Sequence, residues 1–382
     1  MVYQASRKCV NMEFIDLKSQ QNRLQPKLSA AIEKVLSHGQ YVLGPEVREI
    51  ERTLADFVGA KHGLGCANGT EALMLSLMAL SIGPGDGVIC PSFTFSATAE
   101  SIAILGATPI FVDIKPDSYN MCSESLERTI AKVKDDASLN LRAIIVVDLF
   151  GQIANYPDLV PIARKHGLKI IADTAQSFGG TLNGQHPCFW VDIMITSFFP
   201  AKPLGCYGDG GAVFTNNSDF NTSLDSLRVH GRGVNKYDNI SIGLNSRLDT
   251  IQAAVLIEKM KIYPDEIKTR NKIAQQYIEG LTTSKIKTPA LIEGALSTWA
   301  QFTIEVEKPD HLAQFLKDAS IPTARYYPKP THLQKAYLNY PRDPKGLKVT
   351  ETVMNNVISL PMHAYLNEID QKKIITRILQ FV

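Results

Sequence analysis

Apolar positions along this chain change their period in a consistent order. Between about residues 26 and 82 the spacing is helical. Leu28, Ala31, Ile32 and Val35 fall on one face, and Ile50, Leu54 and Phe57 on another after the break at Gly44-Pro45. Beyond that region short, continuous apolar runs alternate with helical segments. The runs are Val88-Ile89-Cys90, Pro109–Val112, Ala143–Val147, Lys169–Ala172, Asp192–Ile195 and Ala212–Phe214, and a segment such as Pro157–His166 is helical. Strands without polar alternation are strands buried on both faces. The pattern therefore predicts an α/β fold with a mostly parallel sheet covered by helices on each side.

A long helical stretch follows from about Arg247 to Leu281, interrupted near Pro264. After residue 282 the order changes: a strand at 300–306, a helix at 309–318, a loop rich in Pro and Tyr at 322–330, and a terminal helix from about 368. This reads as a smaller C-terminal α+β domain. The expected division is 1–11 as an N-terminal extension, 12–260 as the large domain and 261–382 as the small one.

Composition narrows the class. With 45% hydrophobic and 20% charged residues, the chain has the make-up of a globular protein with a sizeable core. A net charge of +2 gives no general attraction to nucleic acid or to an anionic membrane. No apolar run reaches membrane-spanning length, and the first residues carry no secretory apolar segment, so a cytoplasmic location is expected. The six cysteines show no CxxC spacing and read as reduced thiols. His186-Pro187-Cys188 has no second half at metal-binding spacing, so no metal site is expected.

Candidate chemistry centres on Lys202, in Ser197-Phe198-Phe199-Pro200-Ala201-Lys202-Pro203-Leu204-Gly205-Cys206-Tyr207-Gly208-Asp209-Gly210-Gly211. Two prolines and four glycines fix the backbone around one amine. A held, partly desolvated amine suits Schiff-base chemistry, because only the neutral form attacks a carbonyl. Such chemistry with pyridoxal phosphate calls for a phosphate cradle, a partner for the pyridine nitrogen and a platform for the ring.

Each part has a candidate and a plainer explanation. Ala67-Asn68-Gly69-Thr70-Glu71 opens a helix whose free amides can bind phosphate, and an ordinary N-cap accounts for the same residues. Asp173 stands at the carboxyl end of an apolar strand, where ligands of open α/β sheets bind, although it can equally cap a following helix. Ser197 can reach a phosphate or bond its own backbone. In Pro91-Ser92-Phe93-Thr94-Phe95, one of Phe93 and Phe95 is expected to face a ligand and the other to be core. Asn245 and Arg247 precede the long helix, and Arg247 either binds a carboxylate or forms a surface pair with an Asp.

The blocks ANGTEAL, PSFTFSATAE, DTAQSFG, TSFFPAKPLGCYGDGGA and GLNSRLDTIQAA, in this order, resemble the DegT/StrS-type nucleotide-sugar aminotransferases, from about residue 12 to the end. MEFIDLKSQQ, HGQYVLGPEV and SLPMH resemble the branch acting on UDP-2-acetamido-2-deoxy-3-oxo-glucuronate. The resemblance implies an aspartate-aminotransferase-like fold (type I), pyridoxal phosphate as cofactor and glutamate as amino donor. It also implies a homodimer with shared active sites and a place in surface-polysaccharide (O-antigen) synthesis. It gives Lys202 the covalent hold on the cofactor and the proton shuttle, and Asp173 the pyridine nitrogen. Gln176 packs near the ring and its 3-hydroxyl, Gly69, Thr70 and Ser197 hold the phosphate, and Phe95 stacks on the ring. Asn245 reaches the phosphate from the second subunit, and Arg247 meets the substrate carboxylate. Tyr326 stands where the family commonly has His, so Tyr326 and Tyr327 are the candidates for contact with the sugar. Two other readings remain: an aminotransferase for a 4-keto-6-deoxy nucleotide sugar, and a sensor that binds cofactor or sugar without turnover.

Overall fold

The computed structural model describes residues 12–134, 139–235, 237–283 and 285–382; the expected extension 1–11 lies outside them. Seven strands form the central sheet: β1 His62–Cys66, β2 Asp86–Pro91, β3 Thr108–Val112, β4 Asn140–Val147, β5 Lys169–Asp173, β6 Ile193–Ser197 and β7 Gly211–Thr215, in the spatial order β1-β7-β6-β5-β4-β2-β3. β6, β5, β4, β2 and β3 are mutually parallel, and β7 pairs antiparallel with both β6 and β1. The mostly parallel, helix-covered α/β sheet expected from the apolar runs is the observed fold.

The strands feed two cores at once. Ile144, Val146, Ile170, Ala172 and Met194 pack on one face. Ala143, Ile145, Val147, Ile171, Ile193 and Ile195 pack on the other. Alternation of side chains along a strand sends neighbours to opposite faces, which is why the runs show polar residues only at their starts, Lys169 and Asp192.

One expectation is corrected. The region 26–82 is not helical throughout. After α1 (Leu17–Leu24) come helices α2 (Lys27–His38) and α3 (Pro45–Val58), and strand β1, whose sequence HGLGC carries two glycines, separates α3 from α4 (Gly69–Ala79). An alanine Cβ at Gly65 would lie 2.8 Å from Leu248 Cβ, so only glycine admits this close packing. The open edge of β1 is covered by side chains: the Gly65 N–H donates to Glu51 Oε1 at 2.8 Å, and Arg228 Nη1 donates to the Gly65 carbonyl at 2.8 Å.

The long helical stretch is two helices, Thr250–Met260 and Tyr263–Leu281, with Pro264 in the first turn of the second, where its missing N–H costs nothing. The second passes from one core to another. Tyr263 and Ile267 pack in the sheet core, whereas Ile273, Ala274, Tyr277 and Leu281 pack with Trp299, Phe302, Leu312, Leu316 and Ile378. The C-terminal part also holds a helix at Lys348–Asn356 and a strand, Val357–Leu360, antiparallel to Phe302–Glu305, neither of which the sequence pattern singled out.

Candidate active site

Parallel strands place their carboxyl ends on one edge of the sheet, and Gly69, Thr70, Asp173, Gln176, Ser197 and Lys202 follow or end strands there. Register makes this explicit: Cys66 pairs with Gly211, Gly211 with Ser197, Asp173 with Ile195, and Val147 with Asp173. The chain leaves this edge into α4 after β1, into the Lys202 loop after β6, and into a turn after β5.

At the start of α4, Asn68 is the cap. Its Oδ1 accepts from the Glu71 N–H at 2.8 Å, and its Nδ2 donates to Glu71 Oε1 at 3.1 Å. The amides of Gly69 and Thr70 have no partner within the helix, and they sit at its positive end. Gly69 lies directly against Ser197: a Cβ there would be 2.7 Å from Ser197 Cβ. Ser197 Oγ also accepts a long bond, 3.3 Å, from the Phe199 N–H, so its plainer backbone role is present too.

Asp173 is buried. No helix follows it; its Oδ1 accepts from the Ala175 N–H at 3.1 Å in a turn, and Oδ2 accepts no hydrogen bond among the described residues. Burial pushes its carboxyl up, opposed by the Ala175 bond and by the nearby charge of Lys202. Burial likewise holds the Lys202 amine below the ordinary lysine value, the Asp173 charge partly opposing. The loop around Lys202 is fixed by backbone bonds from Lys202 N to Phe199 O and from Cys206 N to Phe198 O, both 2.8 Å. Gly205 is obligatory, since a Cβ would meet the carbonyl oxygens of Phe199 and Pro200 at 2.6 Å. From helix Thr250–Met260, Gln252 Oε1 accepts from Tyr207 N at 2.8 Å, and the buried Lys259 Nζ donates to Gly205 O at 2.6 Å while lying 4.3 Å from the centre of the Tyr207 ring.

Gln176 bridges two regions. Its Oε1 accepts from the Phe150 N–H at 2.5 Å, and its Nε2 donates to the Tyr327 hydroxyl at 3.2 Å. Tyr327 thus reaches the sheet edge from the C-terminal part, with Phe93 edge-on to it at 6.0 Å. Tyr326 faces Phe14 at 6.4 Å. Phe93 is core, and Phe95 is 58% exposed. Asn245 is exposed and its backbone pairs with Val229; Arg247 is half-buried. Among the described residues no hydrogen bond, ion pair or ring contact joins Phe95, Asn245 or Arg247 to the Lys202 cluster. Among the described residues the alternative Arg247–Asp surface pair does not form. Two buried charged groups at this edge, Asp148 and Lys259, were not singled out by sequence reasoning. The signal for Asp148 was available: it ends an apolar run as Asp173 does.

The profile of the DegT/DnrJ/EryC1/StrS aminotransferase family matches residues 22–379. The chain belongs to this family. It is 46% identical over 356 residues to the UDP-2-acetamido-2-deoxy-3-oxo-D-glucuronate aminotransferase of Pseudomonas aeruginosa, covering 93% of this chain and 96% of that one. It is 36% identical to the pleiotropic regulatory protein of Geobacillus stearothermophilus, covering 97% and 99%. The crystal structure of a DegT/DnrJ/EryC1/StrS aminotransferase from Brucella abortus superposes with a TM-score of 0.95 at 50% identity, covering 97% and 99%. The protein is a nucleotide-sugar aminotransferase of the type I fold. Its cofactor is pyridoxal phosphate, and solved neighbours carry it or its amine form. Among the described residues no helix is long and apolar enough to cross a membrane.

Proposed function

We propose that this aminotransferase moves an amino group from glutamate to the C3 carbonyl of a UDP-linked 3-oxo-uronic acid, the UDP-2-acetamido-2-deoxy-3-oxo-glucuronate handled by its P. aeruginosa relative. The observation that carries this reading is the Lys202–Asp173 charge pair on the sheet edge that also holds the Gly69–Ser197 contact. The residues fit the cofactor: a glycine that admits no Cβ at a helix start, a carboxylate with one oxygen unused among the described residues, and a half-buried, partly desolvated amine.

When bound, pyridoxal phosphate supplies a carbonyl for the amine and a ring that accepts electrons. The chain's own groups do the rest. Gly69, Thr70 and Ser197 would hold the phosphate, with Asn245 of a second copy. Asp173 would keep the ring nitrogen protonated, and Gln176 and Phe95 would hold the ring. Lys202 Nζ would take the proton from the amino-bearing carbon of glutamate, whose C–N bond is exchanged for a C=O with oxygen from water, giving 2-oxoglutarate. In the second half it would deliver a proton to C3 of the sugar, whose carbonyl oxygen leaves as water. Arg247 meets the uronate carboxylate, and Tyr326 and Tyr327 meet the sugar. The division into a large part (12–260) and a small one (261–382) belongs to this reading, with helix Tyr263–Leu281 shared between them.

A homodimer with shared active sites is part of the proposal. The exposure of Val234, Ile240 and Ile242, at 103%, 70% and 90%, together with that of Phe95, supports a covering subunit. A cytoplasmic enzyme feeding surface-polysaccharide synthesis completes the reading.

The test is mass spectrometry of products from glutamate and a panel of UDP-3-oxo-uronates and 4-keto-6-deoxy nucleotide sugars. Amination of the 3-oxo-uronate, abolished in Lys202→Ala, is expected. Amination of the 4-keto sugars alone would transfer the proposal to that class. The regulatory name of the Geobacillus relative favours a second reading, binding without turnover; it is supported if glutamate converts no cofactor in purified protein.

A further inference from the structure

A second carboxylate stands beside Asp173 with no part in the reaction as described. Asp148 follows the end of β4 and is fully buried. Its Oδ1 accepts from the Ala154 N–H and from the Tyr156 hydroxyl, both at 2.9 Å, and its Oδ2 accepts from Ser177 Oγ at 2.8 Å. Its own N–H donates to the Asp173 carbonyl at 3.1 Å. One side chain therefore ties segment 148–156 to the turn 173–178. The same two segments meet again where the Phe150 N–H donates to Gln176 Oε1. No cation is bonded to Asp148 among the described residues. A buried carboxylate without a cation is expensive to ionise. A neutral amide would tie the same segments at less cost, so the acid calls for a reason.

We propose that Asp148 is a positioning residue for the Asp173–Lys202 site. It fixes the turn that carries Asp173 and Gln176, and when ionised its charge strengthens the hold of Asp173 on a proton.

The groups facing Asp148 are few. From the β5 turn come Asp173 and the neutral Ser177 hydroxyl, and from helix Tyr156–Lys165 comes the Tyr156 phenol. The neutral Ala154 amide comes from its own segment. Cys188 lies behind Tyr156, and Lys202 lies beyond Asp173. Burial pushes the Asp148 carboxyl up, its three donors oppose this, and the Asp173 charge adds to the rise, leaving it at about 7. Asp148 therefore changes charge near neutral pH. Once negative, it raises the proton affinity of whatever Asp173 holds.

The inference rests on the proposed role of Asp173, so the experiment separates the two. Asp148→Asn, Ser177→Ala and Asp173→Asn are compared with wild type as apoprotein and as cofactor-loaded protein. In the apoprotein, the folded state keeps the Asp148 proton up to about pH 7 and the unfolded chain loses it near pH 4. Stability from this group is thus present in acid and is lost as pH rises through 7. The melting temperature of Asp148→Asn relative to wild type must therefore rise between pH 5 and 8. In loaded protein, Asp148→Asn is expected to lower the midpoint of the cofactor absorbance titration by about half a unit to one unit. It should lower kcat about tenfold with little change in sugar KM. Ser177→Ala removes one donor from Asp148 and should shift the pH at which Asp148 ionises upward, a check that does not depend on the Asn variant folding. Unchanged melting slopes and unchanged midpoints in both variants overturn the proposal. An unaltered spectrum in Asp173→Asn overturns the role of Asp173 instead, while the apoprotein slopes still report on Asp148.

Discussion

Gly69 and Ser197, 128 positions apart in the chain, touch at the sheet edge, and a Cβ on Gly69 would lie 2.7 Å from Ser197 Cβ and 3.2 Å from its Oγ. The helix start and the end of β6 are packed as tightly as glycine allows. The contact leaves the Gly69 and Thr70 amides and the Ser197 hydroxyl side by side. Gly69→Ala must push the two segments apart. The expected result is a loss of about 1–3 kcal/mol of apoprotein stability, read by urea unfolding, together with weaker cofactor binding, read by equilibrium dialysis. Unchanged cofactor affinity would remove this corner from the phosphate site.

Arg247 is half-buried and has no ion-pair partner among the described residues. Arg247→Ala is expected to lower kcat/KM for a 3-oxo-uronate by about 2–3 kcal/mol, or roughly 30- to 150-fold, through loss of a charge-assisted pair. The value for a keto sugar without a carboxylate should stay nearly level. Equal losses on both substrates would show that Arg247 does not read the carboxylate.

The Tyr327 hydroxyl joins the C-terminal part to Gln176. Tyr327→Phe removes one hydrogen bond and keeps the ring beside Phe93. A stability loss of about 1 kcal/mol is expected by thermal unfolding. A rise in KM for the nucleotide sugar with the glutamate half-reaction unchanged would place Tyr327 on the sugar side.

His363 is 5% exposed, and its Nδ1 has no hydrogen-bond partner among the described residues. Burial first, and then the Arg270 charge, lower its pKa to about 4. The unfolded chain takes up this proton near pH 6.5, and the folded chain takes it up only near 4. Stability on this account is fully present above pH 6.5 and falls as pH drops towards 4, by up to about 3 kcal/mol. His363→Gln should flatten the decline in melting temperature between pH 6.5 and 4.5. An identical decline in the variant would assign it to other groups.

The six apolar runs from Val88 to Phe214 were legible because burial on both faces of a strand leaves a local mark. Lys202, Asp173 and Gly69 stood out as candidates for a similar reason: each carries its signature in its immediate neighbours. His62–Cys66 was not legible as a strand. Its two glycines look like a break, and they make sense only with Leu248 packed against Gly65. Tyr327 beside Gln176, Asp148 against Ser177 and Lys259 under Gly205 join residues 151, 29 and 54 positions apart. No periodicity encodes such meetings, because they depend on strand register and helix packing.

By itself the sequence determined six of the seven strands, their burial on both faces, and Lys202 and Asp173 as the candidate amine and carboxylate. These follow from short-range spacing and from the chemistry of single side chains. Only the tertiary structure decided that Gly69 meets Ser197, that a buried Asp173 lies within charge range of a half-buried Lys202, and that a second carboxylate stands behind them. Burial and mutual distance set the proton affinities of these groups, and both exist only once the strands are aligned.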